Sequence, residues 1–301
     1  MSLHSIVAAL GGDLYAGGTR ASIPAPGHSA SDRSVSLLLS GDRLVVHCFG
    51  EASWSGVRAH LRDLGLIDGS GRVLGSGRTG AGTARPRPDR AQRIATAQRL
   101  WEGAGTLAPA TTSRRYLEHR AIRQDPAGLA GLRHHGAAEI SVYRSGGATR
   151  PALIAAITAP DETLTAVELT YLSPSGRRDE RLRPSRKMVG LAPAGSAVRL
   201  AFAETELVVG EGVMSVLSAS DHLGLPAWAL LSARNLAVWT PPGRIRRVII
   251  AADRGAPGET AAQTLLRRLE TAGVESALAL PPHGAEDWNT FAMAERRKKG
   301  G

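Results

Sequence analysis

Three apolar runs in the last third of the chain each lead to an acidic residue. Leu207-Val208-Val209 runs into Glu211-Gly212, and Val248-Ile249-Ile250-Ala251-Ala252 into Asp253-Arg254-Gly255. Ala277-Leu278-Ala279-Leu280 precedes Glu286-Asp287-Trp288-Asn289. Short continuous apolar runs bounded by Gly are expected of strands buried on both faces. Helical stretches lie between them: Val213–Leu223, and Gly258–Ala272 with Ala262, Leu265, Leu266 and Leu269 turned inward. A strand at Ala227–Leu231 and a short helix at Ala233–Trp239 fill the first interval. This alternation predicts a mainly parallel sheet covered by helices, starting near residue 205. Carboxylates at the C-terminal ends of such strands converge on one edge, where open sheets hold ligands. Several oxygen ligands on one edge suit Mg²⁺ or Mn²⁺ and, through the metal, phosphates. An isolated Glu-Gly or Asp-x-Gly is more often a turn with a helix cap. Three in register on successive strands outweigh that reading.

The rest of the chain divides by pattern. Residues 1–68 form a first unit: a helix over His4–Leu10, strands over Ser34–Leu39 and Arg43–Phe49, and an amphipathic helix over Trp54–Leu64. Residues 69–89 are rich in Gly, Ser, Arg and Pro without periodicity, which predicts a flexible basic linker. Residues 90–204 combine helices and antiparallel strands. One helix face carries Ile94, Ala97, Leu100 and Trp101, and a shorter helix carries Tyr116, Leu117 and Ile122. Strands are expected at Ile140–Tyr143, Ala152–Thr158, Thr163–Tyr171 and Met188–Leu191. Residues 205–292 hold the strand–helix alternation, and 293–301 a frayed basic tail.

Lys and Arg total 37 against 27 Asp and Glu, a net charge of +10. That balance favours a polyanionic partner, although an Arg-rich composition alone would also produce it. Arginines cluster at Arg114, Arg115, Arg120, Arg123 and Arg133, and again at Arg177, Arg178, Arg181, Arg183 and Arg186 with Lys187. Guanidinium groups suit phosphate contact. Aromatic residues for base stacking are few (Tyr116, Tyr143, Tyr171, Trp288), so tracking of a single-stranded backbone fits better than base reading. Arg234 and Asn235, after the second strand of the sheet, and the turn Pro241-Pro242-Gly243 are expected on the acidic edge. The single cysteine, Cys48, allows no internal disulfide and points to a reducing cytoplasm. No signal segment opens the chain and no apolar run approaches the ~20 residues that span a bilayer, so no membrane partner is expected.

With these segments in view, residues 205–290 resemble the Toprim domain of bacterial, phage and plasmid DNA primases. Glu211-Gly212 resembles the first motif of that family, Asp253-Arg254-Gly255 its Asp-x-Asp motif, and Asp287-Trp288-Asn289 its third acidic segment. Arg115-Tyr116-Leu117 with Arg120 resembles the opening of a primase core, and the strands before Lys187 its basic subdomain. Residues 1–68 are similar to the zinc-ribbon domain of such primases, with His28 and Cys48 at ligand positions. Ile23 and Glu51 stand where cysteines would be, so zinc is not expected. Apolar packing of Leu37, Leu39, Val45 and Phe49 would hold that sheet instead.

The resemblance implies a Rossmann-like Toprim sheet, an α+β primase-core subdomain and a small zinc-ribbon-like β domain. It implies a primase-like nucleotidyltransferase of mobile-element type, acting on single-stranded DNA with NTPs or dNTPs and Mg²⁺ or Mn²⁺. Glu211, Asp253 and Asp287 would be metal ligands and catalytic residues, with Lys187 in the catalytic groove. Arg115, Arg120, Arg183, Arg186, Lys187, Arg234 and Asn235 would hold nucleic acid. Gly255 replaces the second Asp of Asp-x-Asp, which leaves a Toprim nuclease or a non-catalytic single-stranded-DNA-binding replication accessory as alternatives. Glu259 is a possible substitute ligand. No Gly-x-x-x-x-Gly-Lys-Ser/Thr loop is present, so helicase action would come from a separate protein.

Overall fold

The computed structural model describes residues 3–28, 32–49, 53–74, 88–143, 146–182 and 184–299. Two compact units divide the chain, Met1–Arg87 and Pro88–Gly301.

The first unit opens with α1 (His4–Leu10) and a four-stranded antiparallel sheet. Its strands β1 (Asp13–Tyr15), β2 (Arg20–Ile23), β3 (Val35–Ser40) and β4 (Arg43–Cys48) pair in chain order. Helix α2 (Trp54–Asp63) follows, its first turn closed by the Ser53 hydroxyl accepting from Gly56 N at 3.0 Å. Alternation along β3 buries Val35, Leu37 and Leu39 against Ala21, Ile23, Leu44, Val57 and Leu61. The same alternation corrects the expected core: Val45 lies on the outer face with Arg43, and Phe49 is exposed against the His47 ring. Leu44 and Val46 point inward instead, because a strand turns every second side chain away. Strands β1 and β2 escaped the sequence reading, being only 3 and 4 residues long. The expected linker is shorter at its start. Ile67 bridges Val73, Arg43 bridges Arg72, and Val73 is buried in this core. Residues 75–87 lie outside the described residues.

In the second unit, α3 (Arg90–Glu102) starts with a reciprocal cap between Asp89 and Gln92. Helix α4 (Thr112–His119) begins under the Thr111 hydroxyl. Strands β5 (Leu132–Glu139), β6 (Thr149–Thr158), β7 (Leu164–Tyr171) and β8 (Arg186–Gly190) form an antiparallel sheet in that order. The expected strand at 140–143 is displaced: pairing with β6 involves 132–139, and Ile140 closes the turn by donating its N–H to Ala148 O. On one face Ile154, Val167, Leu169, Tyr171 and Val189 pack on Ala97 and Leu100 of α3. On the other, Leu153, Ala155, Ile157 and Ala166 share a core with the C-terminal sheet.

That sheet contains β9 (Val198–Arg199), β10 (Glu206–Gly210), β11 (Ala227–Ala229), β12 (Arg247–Ala251) and β13 (Glu275–Ala279), ordered β13-β12-β10-β11-β9. All neighbours are parallel except β9, which runs antiparallel to β11 and starts the sheet before residue 205. Helices α5 (Val213–Leu223), α6 (Ala233–Val238), α7 (Ala256–Thr271) and α8 (Trp288–Lys299) complete it. The mixed α+β and mainly parallel α/β character is as the sequence implied. The basic tail is not frayed: 293–299 continue α8, and Arg296 donates to Glu118 O. No helix among the described residues is long and apolar enough to cross a membrane.

Candidate functional site

Glu211, Asp253 and Asp287 line one cavity of about 230 Å³. Glu211 directly follows β10, whose last residue Gly210 brings the strand close to β12: a Cβ there would stand 2.7 Å from Ala251 O. Asp253 follows β12. Its loop is tied to the next one by Arg254 N donating to Glu286 O at 2.8 Å and the Arg254 guanidinium donating to Pro281 O. That tie carries Asp253 toward Asp287, at the start of α8. The N-terminus of α5, residues 213–215, completes this wall without any side-chain cap. The N–H groups of a helix's first turn have no partner within the helix and favour an anion.

The opposite wall belongs to the antiparallel sheet and α4. Glu168 and Thr170 reach the cavity from β7, Arg186 from β8, Arg178 from the β7–β8 loop, and Tyr116 and Arg120 from the end of α4. Arg120 Nε is buried without a hydrogen-bond partner among the described residues. The cavity is therefore two-signed, with the three acids on the parallel sheet facing arginines on the antiparallel one.

Electrostatics mark the acids as under-compensated. Burial pushes the Glu211 carboxyl up, and the Asp253 charge pushes it further. Burial likewise raises Asp253, opposed by a 2.5 Å hydrogen bond from the Ser215 hydroxyl and reinforced by Asp287. Burial also raises Glu168, with Arg186 pulling it down. Carboxyls held above their ordinary range by burial and one another gain from a bound cation. Among the described residues no three His, Cys, Asp or Glu side chains gather closely enough to hold an ion by themselves. An ion here would take fewer than three protein ligands and the rest from water and phosphate, which is the habit of Mg²⁺.

Several expected residues lie elsewhere. Lys187 alternates with Arg186 on β8 and so faces α3, where its ammonium donates to Ile140 O and sits 5.1 Å over the Tyr171 ring. Burial there lowers its pKa to about 8. Arg115, on α4, is exposed and donates to Pro174 O. Arg183 lies outside the described residues. Arg234 is exposed on α6 and does not line the cavity. The Asn235 side chain is spent on the fold: it accepts from Gly195 N and donates to Ser196 O and Leu230 O. The turn Pro241-Pro242-Gly243 precedes β12 and packs near Arg268 and Ala272 of α7, at the opposite edge from the acids. Trp288 and Tyr171 are buried and offer no stacking face. Glu259 accepts from Gly255 N at 3.1 Å, closing the first turn of α7 rather than entering the cavity. Asp287 has a capping duty too, its Oδ1 accepting from Thr290 N. His28 pairs with Asp32, and the Cys48 thiol is half-buried in the first unit's core, its pKa raised by burial.

Glu168 and Ser215 escaped the sequence reading, whereas Arg178 belongs to the second of the expected arginine clusters. The alternating polar pair Glu168 and Thr170 inside an otherwise apolar strand was the available signal for the first.

Comparison with known proteins follows this division. Residues 91–200 match a domain of unknown function, DUF7146, and residues 206–297 match the Toprim domain. No curated protein matches the chain. Among solved structures it is similar to the primase fragment of the bacteriophage T7 primase-helicase protein, at 12% identity over 92% of this chain and 96% of that chain, TM-score 0.42. It is similar to the zinc-binding and RNA polymerase domains of Aquifex aeolicus primase, at 15% identity over 99% of this chain and 82% of that chain, TM-score 0.45. A DNA primase domain from Pseudomonas aeruginosa aligns at 15% identity over 69% of this chain and 77% of that chain, TM-score 0.44. The acidic wall of the cavity, with strands β10 to β13 and the helices that carry it, lies within the residues that match the Toprim domain.

Proposed function

We propose that the chain is a primase-like nucleotidyltransferase that extends nucleotides on single-stranded DNA. The observation that carries this reading is the two-signed cavity: three Toprim carboxylates facing Arg120, Arg178 and Arg186. At about 230 Å³ it is smaller than the ~300–1,000 Å³ of sites that enclose a whole ligand. It suits phosphate groups, with sugar and base outside. Glu211 and Asp253, with Asp287 beside them, would hold the divalent cation. When bound, that cation supplies a counter-charge for the phosphoryl oxygens and lowers the pKa of an attacking hydroxyl.

The chain's own groups do the rest. Arg120, Arg178 and Arg186 orient the phosphates and offset charge developing on them. The α5 N-terminus adds backbone donors on the other side. Ser215 fixes the Asp253 carboxylate through its hydroxyl. Glu211, its carboxyl raised by burial, would accept the proton of a 3′-hydroxyl.

The test is incubation with single-stranded DNA, labelled NTPs or dNTPs, and Mg²⁺ or Mn²⁺. Primer products made by the native chain and lost in Asp253→Asn support the reading. Strand cleavage that depends on Asp253 would assign a Toprim nuclease instead. Salt-sensitive DNA binding without chemistry, indifferent to Asp253→Asn, would assign a non-catalytic accessory.

A further inference from the structure

The arginine wall contains an acid. Glu168 and Arg186 stand on neighbouring antiparallel strands, where Thr170 pairs with Arg186 and Glu168 with Met188. The two-residue repeat puts Glu168, Thr170 and Arg186 on the same face, toward the cavity. Glu168 is mostly buried, Arg186 mostly exposed, and Arg186 Nε lies 3.7 Å from Glu168 Oε2. That distance is an ion pair without a hydrogen bond. Across the cavity, Arg186 also acts on Glu211, pulling down a carboxyl that burial and Asp253 raise. One guanidinium therefore shares the cavity with two acids, one on each wall, and acts on both.

A buried carboxylate on a phosphate-facing wall repels phosphate, so it needs another reason to be there. Arginine has the reach and the fork geometry to pair fully with a carboxylate. If Arg186 closed onto Glu211, it would neutralise the acid and compete with any cation for its oxygens. In a half-buried site such a pair is weakly screened. Glu168 supplies the competing attraction from the arginine's own sheet.

We propose that Glu168 is a positioning residue that retains Arg186 on the antiparallel wall and so keeps Glu211 open to a cation. The inference rests on the reading of Glu211 as a cation-holding carboxylate.

Mn²⁺ binding to the full chain, followed by electron paramagnetic resonance and by calorimetry at neutral pH, tests it without requiring turnover. The variants are Glu168→Gln, Arg186→Gln and the double substitution. Glu168→Gln is expected to weaken Mn²⁺ about tenfold, the scale of one partly screened charge interaction. The double variant is expected to return to within about twofold of the native chain, because the competing guanidinium has gone. Glu168→Asp, which keeps the charge, should bind nearly as the native chain does and shows that the site folds. Native affinity in Glu168→Gln overturns the proposal. A double variant as weak as Glu168→Gln overturns it too, since that marks a merely structural loss. Absence of Mn²⁺ binding by the native chain would overturn the cation reading itself, and this inference with it.

Discussion

Asp253 shows how one residue can be costly to the fold while serving the proposed site. Its carboxyl is raised by burial and by Asp287, and the Ser215 hydrogen bond only partly offsets that. In the unfolded chain the same group ionises near the ordinary value of about 3.9. The stability it contributes is therefore full below that value and is lost as pH rises through the raised folded pKa. At neutral pH the folded state carries the whole penalty. Asp253→Asn keeps an oxygen for the Ser215 hydroxyl and removes the charge. It should abolish chemistry yet raise the melting temperature at pH 7 by roughly 2–4 °C, corresponding to about 1 kcal/mol in a domain of this size. The gain should disappear near pH 4. Calorimetry at both pH values checks this, and a destabilised variant at pH 7 would refute it. Gly255, beside it, has φ +124, a region open in practice to glycine alone. The missing second Asp of the Asp-x-Asp motif is thus accompanied by a backbone that an L-residue would strain, which the letter Gly could not reveal.

Among the elements, Asn235 on α6 marks where sequence reading and structure part. Its position after the second Toprim strand suggested contact with nucleic acid. Its amide instead joins Gly195 and Ser196, ahead of β9, to Leu230 at the end of β11, with bonds of 2.7, 2.7 and 2.8 Å. Asn235→Ala would leave one backbone donor and two carbonyls without these partners. The expected cost is about 2–4 kcal/mol by urea denaturation, on the scale of ~1–3 kcal/mol for each buried group left unmet. Loss of DNA affinity at unchanged stability would contradict this. The parallel strands and their helices were legible because each is an apolar run or a 3.6-residue pattern, several of them ended by Gly or an acid. Strands β1 and β9 were not, since 3 and 2 residues set no period. Strand β5 hid because Arg133-His134-His135-Gly136 carries little apolar signal, and its register is shifted between His135 and Ala138. The three Toprim acids were legible from their strand ends. The facing wall was less so, because which side of β8 holds Arg186 and which holds Lys187 depends on pairing with β7 rather than on charge.

At the scale of the molecule, every residue lining the cavity falls within 88–301, and so do the core clusters that support it. The core of the first unit is assembled from residues 3–73 alone. Cation binding to the carboxylates should therefore be a property of the second unit and should stabilise that unit by mass action. A cation at a hundred times its Kd adds about 2.7 kcal/mol, or roughly 5–10 °C in melting temperature for a domain of this size. A fragment of residues 88–301 should show the same Mg²⁺- or Mn²⁺-dependent rise as the full chain, reversed by a chelator. Asp253→Asn should lose most of the rise even though it starts from a higher melting temperature, because the change that relieves the apo fold removes a ligand. Differential scanning calorimetry of the chain, the fragment and the variant, with and without metal, distinguishes this from general ionic stabilisation, which would act on Asp253→Asn equally. A rise that persists in the variant would show that the cations act away from the Toprim carboxylates.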